Sequence, residues 1–312
     1  VSDVQDEVGP VPPAELAGYI VGLEASDGVV AAYRRQGAEL REAIVRELGG
    51  VWPSDGARAL DFGCGSGRVL RQFAATVAPG QLVGCDIDEP CVAWVRDHLD
   101  GVEAVLTGEA PPLPFDDATF DVAWSMSVFS HLTDRWAQWL LELRRVVRPG
   151  GRLLISVAGG GASQQLAGED WDPDRIGMTV RGPGRPWRAG GPMVLHSEWW
   201  IRAHWGRAFD VVAFEAGGLA GQDLVLLERP STPAPSAADL QAPEPGEPRE
   251  LTAALHAVAL AHREHLELNR QHDAYAEAYV AEMATTAELR ERIAALEQQV
   301  ARGAGRRGLL RR

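Results

Sequence analysis

The chain has 312 residues, 46% of them hydrophobic, which is enough for one large core with appendages. A formal net charge of −14 argues against a general binder of nucleic-acid backbones. No apolar run reaches the length of a membrane span and no signal peptide is visible, while Cys64, Cys85 and Cys91 show neither metal-ligand nor disulfide-framework spacing and read as reduced core residues of a cytoplasmic protein.

Residues 13–20 and 28–48 have helical character, with Tyr33, Leu40, Ile44, Val45 and Leu48 on one apolar face and Gly49-Gly50 as the stop. The apolar run Ala57 to Leu60 then predicts a buried strand. It leads into Asp61-Phe62-Gly63-Cys64-Gly65-Ser66-Gly67-Arg68, and helical spacing resumes at Val69. Glycines let backbone approach a ligand closely, and a helix start offers unpaired N–H groups, so this turn reads as a nucleotide-type site. A dinucleotide fingerprint wants a further glycine where Arg68 stands, which disfavours a hydride-transferring dehydrogenase.

A second strand, 81–86, ends in Asp86, a position from which a carboxylate can accept bonds from two ribose hydroxyls. Asp88 is placed to cap the helix Glu89–Leu99, with Pro90 in its first turn. A third strand over 102–106 is followed by Gly108-Glu109-Ala110 and by Leu113 and Phe115, which are expected to pack under the loop. A fourth strand, 121–127, leads to His131; a helix over 136–147 stops at Pro149-Gly150, and a fifth strand covers 152–157.

From Gly159 to Leu195 the chain reads as an irregular insertion bearing Trp171, Trp187, Arg175, Arg181, Arg185 and Arg188, a mixture suited to flat, hydroxyl-rich or anionic ligands. A helix from His196 to about Trp205 follows, with Trp199, Trp200 and Trp205 as anchors, and then strands over 209–215 and 223–228. His131 and His196 are the candidate general bases; a backbone-bonded role for His131 and a helix-capping role for His196 are the alternatives. Residues 231–250 are a linker rich in Pro, Ala, Ser and Glu. Residues 251–301 are strongly helical. Leu289, Ile293, Leu296 and Val300 form a coiled-coil seam, His262, Asn269 and Tyr279 a polar continuation, and Met283, Thr286 and Leu289 a local stammer. A long helix docked on its own domain competes with self-association or a partner helix. Residues 302–312 form a short basic tail.

The run Asp61 to Gly67 resembles motif I of class I S-adenosylmethionine (AdoMet) methyltransferases. The stretch Gly108 to Asp121 and the succession from Ser127 through His131 to Ser156 are similar to the same family, and the resemblance covers Ala57 to Pro230. It implies an α/β, Rossmann-like, doubly wound sheet of seven mostly parallel strands, the last antiparallel, followed here by the C-terminal helix. It implies AdoMet as cofactor, with Asp61, Gly63, Gly65, Gly67, Asp86, Ile87, Glu109, Ala110 and Ser125 as its contacts and residues 1–50 as a cover; no metal is expected. The segment His196 to Pro230 looks like methyltransferases of bacterial surface-glycan synthesis, which implies O-methylation of a sugar hydroxyl. A specialised-metabolite hydroxyl is the competing acceptor. A scaffold that keeps the fold without turnover and acts through its C-terminal helix is the competing class.

Overall fold

Strand β1 (Ala59–Phe62) is buried on both faces, Asp61 included, as a central parallel strand is. In the computed structural model, which describes residues 8–54, 56–163, 170–186, 190–219 and 221–309, β1 pairs in parallel with β2 (Leu82–Asp86) on one side and β4 (Phe120–Ser125) on the other. Beyond these lie β3 (Val102–Leu106) and β5 (Val147–Val157), also parallel. β9 (Gln222–Glu228) runs antiparallel to β5 and pairs with β8 (Asp210–Leu219), so the order is β3-β2-β1-β4-β5-β9-β8. This is the doubly wound α/β sheet expected, with the last strand of the chain antiparallel. Strand order reverses between β1 and β4, and such a switch point opens a crevice at the carboxyl ends of the strands.

Both faces are covered. On one, α5 (Trp136–Val146) and α7 (Glu198–His204) pack Trp136, Leu140, Trp200 and Ile201 against Phe62, Ala123 and Ile155. On the other, α2 (Asp27–Leu48) and α4 (Glu89–His98) enclose Trp52, Phe73 and Trp124, whose rings lie 5.7–5.9 Å apart. A shorter helix, α1 (Ala14–Val21), precedes them, packed on Val29 and Tyr33.

Four stretches differ from the expectation. After β1, residues 64–69 close on themselves through a turn, Gly67 N donating to Cys64 O at 3.0 Å, so regular helix is confined to α3 (Leu70–Phe73). The insertion after β5 holds a single turn of helix, α6 (Gly160–Ala162), and an antiparallel hairpin, β6 (Met178–Arg181) with β7 (Met193–His196). Val194 N donates to Ser130 O at 2.7 Å and His196 N to Ala158 O at 2.8 Å, which fastens the hairpin to the carboxyl ends of β4 and β5. His196 is therefore the last residue of β7, and Ser197 takes the N-cap position of α7. Finally, the 231–250 segment contains α8 (Ala237–Gln241), opened by a Ser236–Asp239 capping box and holding Leu240 fully buried. Arg207 and His204 clamp this segment: Arg207 reaches Ala242 O at 2.6 Å and Glu244 at 2.7 Å, and His204 Nδ1 donates to Leu240 O at 2.7 Å.

The chain divides into two units, 1–257 and 258–312. Helix α9 (Arg249–Leu309) begins in the first, where Ala253 joins the core, Glu250 meets His204 at 2.9 Å and Arg249 lies over the Trp199 ring. The second unit is the remainder of that helix, which continues through the expected tail to Leu309. The side chains of Thr286, Leu289, Ile293, Leu296 and Val300 lie outside the described residues. No helix among the described residues is long and apolar enough to cross a membrane.

Candidate active site

The crevice between β1 and β4 is lined by the glycine turn. Gly63, Gly65 and Gly67 all have positive φ (77°, 52° and 81°), conformations that side-chain-bearing residues rarely adopt. A Cβ on Gly63 would stand 2.2 Å from Val128 Cγ2, and one on Gly65 would stand 2.3 Å from Ile20 Cδ1. Val128, from the loop after β4, and Ile20, from α1, thus roof the turn. The third glycine is close-packed too, on other neighbours: a Cβ on Gly67 would meet Leu99 and Val95, against the α4 segment, at 2.7 and 3.1 Å.

Asp61, at the centre of β1, is 2% exposed, and its Oδ2 has no hydrogen-bond partner. Burial lifts its carboxyl to about 7; the Trp124 indole and Arg68 oppose the rise, and Asp86 adds to it. A buried carboxylate oxygen left without a donor is costly until a polar or cationic group reaches it. Ser125, at the end of β4, is also fully buried with an unpartnered Oγ. Asp86 stands at the tip of β2. Its Oδ2 accepts from Gly65 N at 2.7 Å and its Oδ1 from Asp88 N at 2.9 Å, which tie the tips of β1 and β2 together. Its pKa is raised by burial and held back by these same backbone donors. Asp88 caps α4, accepting from Cys91 N at 3.0 Å. Ile87, between the two acids, is half exposed, and Glu109 and Ala110 are exposed in the loop after β3.

That loop is pinned from below. Leu113 is buried, its N–H donates to Glu142 at 2.7 Å, and Arg145 bridges Glu142 and Asp117 at 2.6 and 2.7 Å. Phe115 packs edge-on against Phe120. Sequence reasoning missed the support beneath the glycine turn. Tyr33, fully buried on α2, donates its hydroxyl to Ser66 O at 3.0 Å and lies 3.2 Å from Ser66 Oγ. Its apolar helical face was legible; its hydroxyl partner, 33 residues away, carries no local signal.

The two histidines fare differently. His131 is partly buried after β4 and donates Nδ1–H to Pro192 O at 2.7 Å; burial lowers its pKa and the Pro192 carbonyl opposes that. His196 is fully buried, lies 5.5 and 5.6 Å from the rings of Trp200 and Trp205, and finds no partner for either ring nitrogen. Burial pushes its pKa to about 3, so it is neutral and closed off from the crevice surface. The expectation that it opens α7 at the rim is corrected: pairing with Met178 draws it into the hairpin. Trp199, Trp200 and Trp205 are buried anchors, Trp199 donating its indole N–H to Ile176 O at 3.2 Å. Trp171 lies over Gly160 and packs with Ala158, Ala162 and Ile176. Trp187 and Arg188 lie outside the described residues.

Residues 60–155 match the family model for a methyltransferase domain. The chain is 35% identical to 27-O-demethylrifamycin SV methyltransferase of Amycolatopsis mediterranei over 38% of its own length and 47% of that protein. It is 32% identical to the malonyl-[acyl-carrier protein] O-methyltransferase of Methylococcus capsulatus over 49% of its length and 56% of that protein. It thus spans about half the length of these curated relatives. A chain from the solved complex of the Haloferax volcanii Trm112 methyltransferase activator has the same fold, with a TM-score of 0.50, 18% identity, and coverage of 71% of this chain and all of that one. The segment built around the glycine turn, residues 60–155, is therefore similar to a methyltransferase domain, and the likeness to known methyltransferases is carried by that segment.

Proposed function

We propose that this chain transfers the methyl group of AdoMet to a hydroxyl of a small molecule, and that the hydroxyl belongs to a sugar or glycan. The observation that carries the donor half is the orphaned Oδ2 of Asp61, a buried acceptor beside a glycine turn held at positive φ. AdoMet brings an ammonium group and, when bound, supplies an electrophilic methyl on a cationic sulfur. Asp61 would take the ammonium, Gly63 and Gly65 give the backbone its close approach, and Asp86 would accept the ribose hydroxyls with the lone pairs its backbone donors leave. Ile87 offers an apolar wall for the adenine, with Glu109 and Ala110 at its polar edge. Ser125 places a neutral, unpartnered hydroxyl at the end of β4, beside the switch point. Gly67 supports the turn from behind.

On the acceptor side, His131 is the base. Its ring is oriented by Pro192 on the hairpin cover, and a pKa held down by burial keeps it neutral and able to take a hydroxyl proton near pH 7. The sugar acceptor is supported by the resemblance of 196–230 to glycan-cluster methyltransferases. The relatives, a 27-O-demethylrifamycin methyltransferase and an acyl-carrier-protein O-methyltransferase, support oxygen as the methylated atom more broadly. Free, buried cysteines support a reducing cytoplasmic location.

The test is incubation with labelled AdoMet and parallel panels of sugars, nucleotide sugars and polyketide alcohols, products being read by mass. Label on a sugar oxygen, with turnover down at least about 100-fold in His131→Ala and AdoMet affinity unchanged, is the expected result. Label only on polyketide alcohols overturns the acceptor; full turnover in His131→Ala overturns the base.

A further inference from the structure

Within the second unit, Val258, His262, His265, Asn269, His272, Ala276, Tyr279 and Met283 follow one another at alternating steps of four and three residues. This spacing puts them on one stripe of the helix, the a and d positions of a heptad. Every one of them is exposed, and so are Leu266, Leu268, Tyr275 and Val280 on either side of the stripe. Val258, Tyr275 and Val280 are 69%, 77% and 67% exposed. A solitary helix gains its stability from burying such a face, so the stripe calls for a covering partner.

The charge pattern selects the occupant. The positions flanking the stripe are Ala259, Ala261, Leu266, Leu268, Asp273, Tyr275, Val280 and Glu282, which carry two charges among them. Arg263, Glu264, Glu267, Arg270 and Glu277 lie on the far side of the helix. An oppositely charged partner would find almost nothing to read. A second copy of this chain, in parallel register, sets every layer against its like, with Asn269 facing Asn269, the kind of single polar layer that fixes register.

Pairing also changes the chemistry of the stripe. In one chain, no three potential metal ligands gather among the described residues. His262 and His265 are three apart on one face, about 4.5 Å along the axis at 1.5 Å per residue. That i, i+3 spacing is the one by which bundle helices direct two ligands at one metal. Two copies bring four imidazoles to adjacent layers, a neutral nitrogen set suited to a four-coordinate, zinc-class divalent cation. In the single chain the Asn269 amide nitrogen donates to His265 Nε2 at 3.1 Å, a bond that a metal ion on that nitrogen would replace.

We propose that two copies of this chain pair in parallel through residues 258–283 and that His262 and His265 of both hold one zinc-class cation in the seam. The proposal concerns the C-terminal helix alone and does not depend on the methyl-transfer reading. The full chain would be studied by sedimentation equilibrium in EDTA and in micromolar zinc chloride, with metal content of the dialysed protein read by atomic absorption. The expected result is a dimer whose dissociation constant falls at least tenfold with zinc, one zinc per two chains, and the visible absorption of four-coordinate cobalt(II) on substitution. The double variant His262→Ala/His265→Ala loses the zinc response and the cobalt spectrum while AdoMet binding, measured by calorimetry, stays as in the parent. A chain that is monomeric in both conditions, a zinc response that survives in the double variant, or one zinc per chain overturns the proposal. Loss of AdoMet binding in the parent defeats the methyltransferase reading instead and leaves this one standing.

Discussion

The two rims of the β1–β4 crevice are built on opposite physical terms. The glycine rim is polar: a turn of positive-φ glycines, Asp61 with an unpaired oxygen, and Asp86 holding two strand tips together. The acceptor rim is covered and aromatic. A hairpin is fastened over β4 and β5, and its one buried histidine is surrounded by tryptophan rings and kept neutral. A rim that binds a constant cofactor stores its cost in buried polar groups awaiting a ligand. A rim that excludes water spends its sequence on packing.

The largest expected effect tests the glycine rim. Asp61→Asn removes the buried carboxylate and replaces it with a neutral amide, so AdoMet affinity should fall at least about 100-fold, the scale of a charged hydrogen bond lost in a dry site. The same substitution should raise the stability of the ligand-free protein at pH 8. A carboxyl raised to about 7 destabilises the fold progressively as pH rises from the unfolded value near 4 up to 7, and the deficit is then constant. It amounts to at most about 4 kcal/mol at 1.36 kcal/mol per unit. Calorimetric titration and thermal unfolding of both proteins, without ligand, check the two signs together. A variant that binds AdoMet normally, or that unfolds at lower temperature at pH 8, breaks the contrast between the rims.

The same contrast explains what could be read from the sequence. The strands, Asp88 as a cap, and the burial of Leu113 follow from local patterns: apolar runs, an acid before a proline-containing turn, a hydrophobe in a polar loop. The hairpin β6–β7 did not, because glycines and arginines surround two four-residue strands whose pairing is antiparallel across a long loop. His196 was misplaced for that reason; one residue decides whether it opens a helix or ends a strand, and the strand buries it. Composition likewise hid α8, since a short helix held by Arg207 and His204 owes its order to contacts made far along the chain. Ile20 and Val128 roof the glycine turn without any signal in the motif itself.

A second prediction turns the Asp61 carboxyl into a pH readout. AdoMet should bind the ionised form, whereas the empty site holds this carboxyl near 7. Affinity is therefore full above pH 7 and weakens as pH falls through it, by about tenfold between pH 8 and pH 6 for one proton taken up on release. Asp86, also raised by burial, acts in the same direction. Calorimetry across this range should give that slope in the parent protein and a flatter one in whatever binding Asp61→Asn retains. Equal slopes would mean that another group titrates.

The smallest effect asks whether the glycine rim is held from beneath. Tyr33 is fully buried and its hydroxyl meets Ser66 between two of the turn's glycines, so the phenol acts on the backbone proposed to hold AdoMet. Burial lifts its pKa well above the usual phenol range, so it remains a hydrogen-bond donor at every working pH. Tyr33→Phe keeps the ring and its packing on Ala17 and Val29. It removes one buried hydrogen bond, about 1 kcal/mol, and leaves the Ser66 carbonyl to seek another donor. If that bond holds the turn in its binding shape, AdoMet affinity falls about fivefold while the slope of affinity against pH is unchanged, because Asp61 still titrates as before. If the bond contributes only to folding, unfolding shifts by a similar free energy and affinity does not move. The two readouts separate a positioning role from a packing role. The slope guards against the third outcome, in which loosening the turn also exposes Asp61 and lowers its pKa.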